Sequence, residues 1–232
     1  MMECRYCKKE CVKAGKQQNG RQKCYCKSCK KYQQVKYTYK ACDLSIEKDI
    51  IRHLIRGNGI RDIGYLLSIS NTTVILKIRQ IADALGSTFK GRQGLTYEMD
   101  ELCPDYRKNL WVIYAIAKYS REVVDVAVGN RNNECIKPVV DKVLAFDPKR
   151  IYTDGYSGYP NLIGKDIHKP DRYLTNRIER MNLTLRTHLK RLCRKTICYT
   201  KRADMLLACV KIYFFATQIR RVSIQELMIT RT

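Results

Sequence analysis

Proline is scarce in this 232-residue chain, five in all, and long apolar runs are missing. So few prolines, alongside 45% hydrophobic residues, exclude an extensively disordered chain and leave material for a sizeable core. The longest greasy stretch, MLLACVKIYFFA, is interrupted by Lys211 and is too short for a bilayer. The opening MMECRYCKKE lacks the apolar segment of a secretory signal. No membrane is therefore expected. The twelve cysteines read as thiols or metal ligands in a reducing, cytoplasmic compartment rather than as disulfides.

Acidic side chains are few as well, 22 against 45 Lys+Arg, for a formal net charge of +23. Such an excess favours a polyanionic partner, most often nucleic acid. It is uneven. Residues 1–40 carry 12 basic and 2 acidic side chains and residues 172–202 carry 10 and 1, but residues 97–160 carry 9 and 10. A near-neutral middle between basic flanks suggests two or three domains with different tasks.

Residues 1–42 read as a metal-held finger. Cys4-x2-Cys7 and Cys26-x2-Cys29 are two pairs spaced to grip one tetrahedral, structural Zn2+. So short a segment has too little apolar material to fold unaided. Cys11 and Cys24 are spare, and Cys24-x-Cys26 offers a competing grip. KKYQQVKYTYK suits a strand pair or phosphate-contacting arm, or equally a solvated basic surface.

Residues 43–86 read as three helices. Ser45 begins the first, GNG stops it, Ile60–Leu67 is the second, and Asn71 or Thr72 caps a third ending near Leu85. A short helix, a tight turn and a capped longer helix make a helix-turn-helix, with Asn71, Thr72, Thr73, Lys77 and Arg79 as candidate DNA contacts. An ordinary three-helix bundle is the plain alternative. Residues 87–95 have the composition of a linker.

Residues 96–232 change pattern. LTYEMDEL, LWVIYAIAKY and EVVDVAVG predict an antiparallel meander. NECIKPVVDKVLAF predicts a helix with Pro138 in its first turns, and RIYTD a strand parallel to an earlier one. A long helix from about Thr175 to Lys195 and a last one over about Lys201–Ile219 follow. This is a mixed α/β (α+β) arrangement of ribonuclease-H-like type. It makes the first strand and the strand after the crossover neighbours, so Asp100 and Asp154 face one point, and Glu179 projects towards them from the long helix. There Ile178, Met181, Leu185, Leu189 and Leu192 share one face; Glu179, Asn182, Arg186 and Lys190 share the next, where the last three are candidate DNA contacts. A carboxylate cluster suits Mg2+ or Mn2+, two ions per site, for phosphodiester chemistry. The bland reading is an Asp-Gly hairpin turn at Asp154. Glu98, Glu101, Asp105 and Asp125 are rival acids among which spacing does not choose.

YEMDEL, YTDGYSGY and above all NRIERMNLTLRTHLKRLCRKTICYTK resemble the Asp-Asp-Glu motifs of the insertion sequence 1 transposases. The finger and helix-turn-helix resemble that family's separate DNA-binding protein, here in one uninterrupted chain where other members join the parts by translational frameshifting. The resemblance implies Asp100, Asp154 and Glu179 as catalytic carboxylates. It implies Mg2+-dependent cleavage and transfer of strands at terminal inverted repeats, target DNA as second partner, and a dimer or higher multimer on nucleoid DNA. The rival functions are a non-catalytic repressor binding the repeats through residues 1–85, and a nuclease without strand transfer.

Overall fold

In the computed structural model, residues 2–35, 37–43, 45–87, 89–105, 109–193 and 202–229 are described. The final residues of the longest motif, 194–201, lie outside them. Two compact units are present, Met1–Ile46 and Glu47–Thr232.

The first unit is an antiparallel sheet of β1 (Met2–Glu3), β2 (Glu10–Lys16), β3 (Gln22–Cys26) and β4 (Lys31–Gln34) in sequence order. Its buried cluster consists of Cys4, Cys11, Cys24 and Cys26, with Met2, Cys7 and Cys29 packed against it. No aliphatic core stands behind the sheet in the described residues of that cluster, so sulfur takes its place. Several basic residues of the unit lie over tyrosine rings, Lys23 on Tyr32 at 4.0 Å and Lys31 on Tyr6 at 4.2 Å.

The second unit begins with α1 (Ile46–Ile55), α2 (Ile60–Leu67) and α3 (Asn71–Ala84). Ser68 caps α2 in a left-handed conformation, φ 53°. The N-cap of α3 is Ser70 and not Asn71 or Thr72: its backbone is extended and its hydroxyl accepts from Thr73 N–H at 3.1 Å. Asn71 is already helical, so its side chain is one residue too late for that amide. Gly57 ends α1 at φ +83°, and a Cβ there would collide with the His188 carbonyl oxygen. Only glycine combines that backbone with that approach.

The five-stranded sheet runs β7 (Val123–Gly129), β6 (Leu110–Ala117), β5 (Thr96–Asp105), β8 (Arg150–Thr153), β9 (His168–Pro170). β5, β6 and β7 are antiparallel, whereas β8 lies parallel to β5 and to β9. The crossover strand is thus the neighbour of the first, as the sequence pattern predicts. β6 is apolar throughout because helices cover both sheet faces. On one face Tyr97, Met99 and Ile113 meet α4 (Asn133–Leu144) through Ile136, Val140 and Val143. On the other, Leu102, Tyr114 and Ile116 meet α5 (Asn176–His188) and α6 (Ala203–Ile229) through Ile178, Leu185, Val210 and Phe214.

Pro138 stands at the sixth position of α4, within its first two turns. Two helix ends differ from expectation. α5 stops at His188, because Leu189 is extended and a short 3-10 turn over Lys190–Leu192 follows. That break lets Leu189 and Leu192 both enter the core, each burial being worth about 1.5–3 kcal/mol. α6 continues ten residues past Ile219. Among the described residues no helix is long and apolar enough to cross a membrane.

Candidate active site

β8 pairs with β5 only from Thr96 to Glu98. Beyond that point β5 stays paired with β6 on one side while β8 no longer covers the other, and the chain leaving β8 carries Asp154 across that edge. Asp100, on the α5 face of β5, and Glu101, on the α4 face, therefore both reach Asp154. The three carboxylates each place an oxygen within 4.8 Å of the others. Asp154 is fixed locally: its Oδ1 accepts from Tyr156 N–H at 3.1 Å. The buried Thr153 hydroxyl donates to the Asp154 carbonyl at 2.8 Å and accepts from His168 Nε2 at 2.8 Å.

Burial pushes the Asp100 carboxyl up to about 7, with the charges of Glu101 and Asp154 adding to the rise. Burial also raises Glu101, and Asp154 adds to it. One cation already offsets this charge. Arg131 Nη2 lies 2.8 Å from Glu101 Oε2 and 3.4 Å from Asp154 Oδ2. Its guanidinium is held between Tyr156, 3.9 Å to the ring centroid, and Trp111, 4.6 Å. Glu101 Oε1 is buried without a hydrogen bond of normal geometry, and the buried Tyr159 hydroxyl is the neighbouring donor that acts on this carboxylate. A buried carboxylate beside two further carboxylates fits a hard divalent cation.

Asn182 is engaged within the protein. Its Nδ2 donates to Asp100 Oδ2 at 2.6 Å, and its Oδ1 accepts from the buried Tyr114 hydroxyl at 2.7 Å. Glu179 is exposed in the first turn of α5, accepting from Thr175 Oγ1 at 3.5 Å. It is one turn before Asn182 on the same helix face but outside the three-carboxylate group. Arg186 is half-buried on that stripe. Lys190 leaves it, since α5 has ended.

Of the candidates on α3, Asn71 and Thr72 are exposed, while Thr73 Oγ1 bonds to Ser70 Oγ at 2.8 Å. Lys77 pairs with Glu47 at 2.8 Å and Arg79 with Asp204 of α6 at 2.9 Å. Arg79 thus makes an exposed ion pair to α6.

In the first unit Cys4, Cys7, Cys26 and Cys29 converge, their sulfurs within 4.8 Å of one another. Cys4–Cys29 and Cys7–Cys26 lie at 3.5 and 3.4 Å, near the roughly 3.8 Å between ligands of tetrahedral zinc with Zn–S of about 2.3 Å. Cys11 instead accepts from Gln33 Nε2 at 2.7 Å, and Cys24 is buried outside the group. Burial raises the Cys4 thiol, but the backbone N–H groups of Cys7 and Tyr6 outweigh it and bring it to about 6. Burial, then the neighbouring thiols, push Cys29 to about 12.

The sequence offered Glu101 only as one of several rival acids and passed over Arg131. Strand alternation places Glu101 opposite Asp100, and only the end of β8 removes the barrier between the faces. Arg131 offered no motif, being one of several cations in a near-neutral segment.

A family model described as IS1 transposase matches residues 97–218. The insertion element iso-IS1n protein InsB of Shigella dysenteriae is 34% identical over 95 residues, 41% of this chain and 72% of that protein. The IS1 protein InsB of Shigella flexneri is 33% identical with the same shares covered. Among solved structures, one of a simian T-cell lymphotropic virus intasome in complex with PP2A regulatory subunit B56 gamma aligns at TM-score 0.38 and 13% identity. That alignment covers 69% of this chain and 66% of that one, and the likeness is too low to carry the fold.

Proposed function

The chain belongs to the IS1 transposase family, and on that premise we propose that it binds the terminal inverted repeats of its element and catalyses metal-dependent DNA cleavage and strand transfer. The observation that carries this reading is the meeting of Asp100, Glu101 and Asp154 where β5 outruns β8. The strand order, three antiparallel strands followed by a parallel neighbour of the first, supports a ribonuclease-H-like catalytic domain. The α2–turn–α3 geometry supports a helix-turn-helix, and the four convergent thiols support one structural zinc ion.

In this reading Asp100, Asp154 and Glu101 hold a first Mg2+ or Mn2+, and Glu179 supplies a carboxylate for a second. Such ions activate a water or 3′-hydroxyl and stabilise the leaving oxygen. The protein's own groups prepare the site. Asn182, locked by Tyr114, orients Asp100 towards the cluster. Arg131 balances the charge of Glu101 and Asp154. Arg186 offers a phosphate contact on the stripe of Asn182, Lys190 offers another past the end of α5, and Asn71 and Thr72 are exposed to read base edges. Assembly on DNA as a homodimer or larger multimer belongs to the same proposal.

The test is incubation of the full chain with Mg2+ and DNA carrying the element's ends, followed by mapping of cut and joined strands. Cleavage without joining assigns a nuclease; binding with neither assigns a repressor.

A further inference from the structure

A cavity of about 440 Å3 opens beside α5, outside the carboxylate cluster, lined by Arg56, Arg121, Met181, Thr184, His188 and Phe214 among others. This volume falls within the roughly 300–1,000 Å3 of small-ligand sites. Its walls come from both parts of the second unit: Arg56 follows α1, and Arg121 lies in the β6–β7 turn. The close approach of Gly57 to the His188 carbonyl closes one side, and His188 Nδ1 is fixed 2.6 Å from Tyr213 Oη.

The lining has two chemistries. Its floor is apolar, with Val123, Met181 and Phe214 belonging to or packed on the core. Its rim is cationic. Arg56 and Arg121 are exposed, and neither forms a salt bridge among the described residues, whereas Arg52, Arg79 and Arg131 do. Lys190 adds a third cation to the lining. Between floor and rim stand Thr184 and Thr187, whose hydroxyl protons are given to Arg180 and Leu183 carbonyls at 3.0 and 2.9 Å. Each hydroxyl is left with acceptor capacity only. A ligand that matches has one anionic end, one flat apolar body and N–H donors on its edge.

We propose that this cavity binds a single unpaired nucleotide of the DNA strand, its phosphate on Arg56 and Arg121 and its base against the floor. The inference rests on DNA being the substrate. Holding one nucleotide here would fix the strand between the three-helix segment and the sheet that carries the carboxylates.

The experiment measures binding of the full chain to labelled duplexes of equal length that are blunt, carry a short single-stranded overhang, or carry the same overhang without bases. The overhang should tighten binding about tenfold over the blunt duplex, the lower end of what holding one base contributes; the abasic overhang should not. Arg56→Ala with Arg121→Gly removes the rim, the glycine suiting the φ of 60° at that position. Thr184→Tyr fills the space above the floor and leaves the charge. Either change should bring the overhang ratio to about one, with thermal unfolding confirming that the variants are folded. A wild-type ratio of one, an abasic overhang that binds as well, or a ratio that survives both variants overturns the proposal. If blunt duplex is bound and joined normally in any of those outcomes, the transposase reading stands and the cavity assignment alone falls.

Discussion

Glu98 Oε2 accepts the backbone N–H of Ile178 at 2.9 Å, and also that of Arg177 at 3.1 Å, so a carboxylate from β5 closes the N-terminal end of α5. Its other oxygen faces Lys118 Nζ at 3.3 Å, and the side chain is fully buried. Since α5 also carries Asn182, this cap sets how the helix presents that amide to Asp100. Glu98→Ala leaves two helix N–H groups unpaired and strips Lys118 of its ion pair, leaving it the Leu174 carbonyl, and should cost about 3–5 kcal/mol. Glu98→Gln keeps the shape and should lose about 1.5–3 kcal/mol. Urea unfolding of the full chain measures both; an alanine variant within about 0.5 kcal/mol of the parent would show that the cap does not hold α5.

Arg131 occupies the charge position that a divalent cation would share. Its guanidinium reaches Glu101 and Asp154 together and is clamped by two rings. Arg131→Gln removes a competitor for those carboxylates, so Mn2+ binding followed by calorimetry should tighten several-fold. Without added metal the same variant should lose about 3–5 kcal/mol, because the buried Glu101 carboxylate is left uncompensated. Weaker Mn2+ binding in the variant would mean that Arg131 assists the metal instead of competing with it.

The sheet was legible because its code is local. Three β-rich runs, a helix and RIYTD are enough to place β8 beside β5, and with it Asp154 beside Asp100. What stayed hidden depends on where elements end. Strand alternation puts Glu101 on the face opposite Asp100, so its meeting with Asp154 could not be foreseen without knowing that β8 stops at Thr153. Helical periodicity likewise carried Lys190 onto the stripe of Glu179, because no glycine or proline marks the break at Leu189. The ion pairs of Lys77 and Arg79 join segments distant in sequence, Arg79 to Asp204 across 125 positions. No spacing rule sees such a contact.

The first unit has cysteines where a larger domain has leucines. Metal removal, or Cys26→Ser, should therefore unfold residues 2–35 while the second unit keeps its own core, since zinc supplies most of such a module's folding energy. Elemental analysis should return one zinc per chain. Cys24→Ser, outside the converging group, should keep the metal. Loss of zinc in Cys24→Ser with retention in Cys26→Ser would move the ligand set by two residues.

Asp100 links stability to chemistry. Its carboxyl is raised from 3.8 to about 7 by burial, so the folded chain binds that proton more tightly than the unfolded one. Its contribution is therefore full below about pH 4 and is lost as pH rises towards 7, on the order of 4 kcal/mol across that window. Asp100→Asn cannot ionise and should escape the loss. Without divalent ions the variant should match the parent near pH 4 and exceed it in stability at pH 8. Added Mg2+ should stabilise the parent more than the variant, because the charge it binds is gone. In the joining assay Asp100→Asn, Asp154→Asn and Glu179→Gln should each lose cleavage and transfer together by several orders of magnitude, since both steps share the metal site. Glu101→Gln separates the two arrangements of acids: a loss as deep as that of Asp154→Asn places Glu101 among the ligands. An active Glu179→Gln beside a dead Glu101→Gln would transfer the third carboxylate role from α5 to β5.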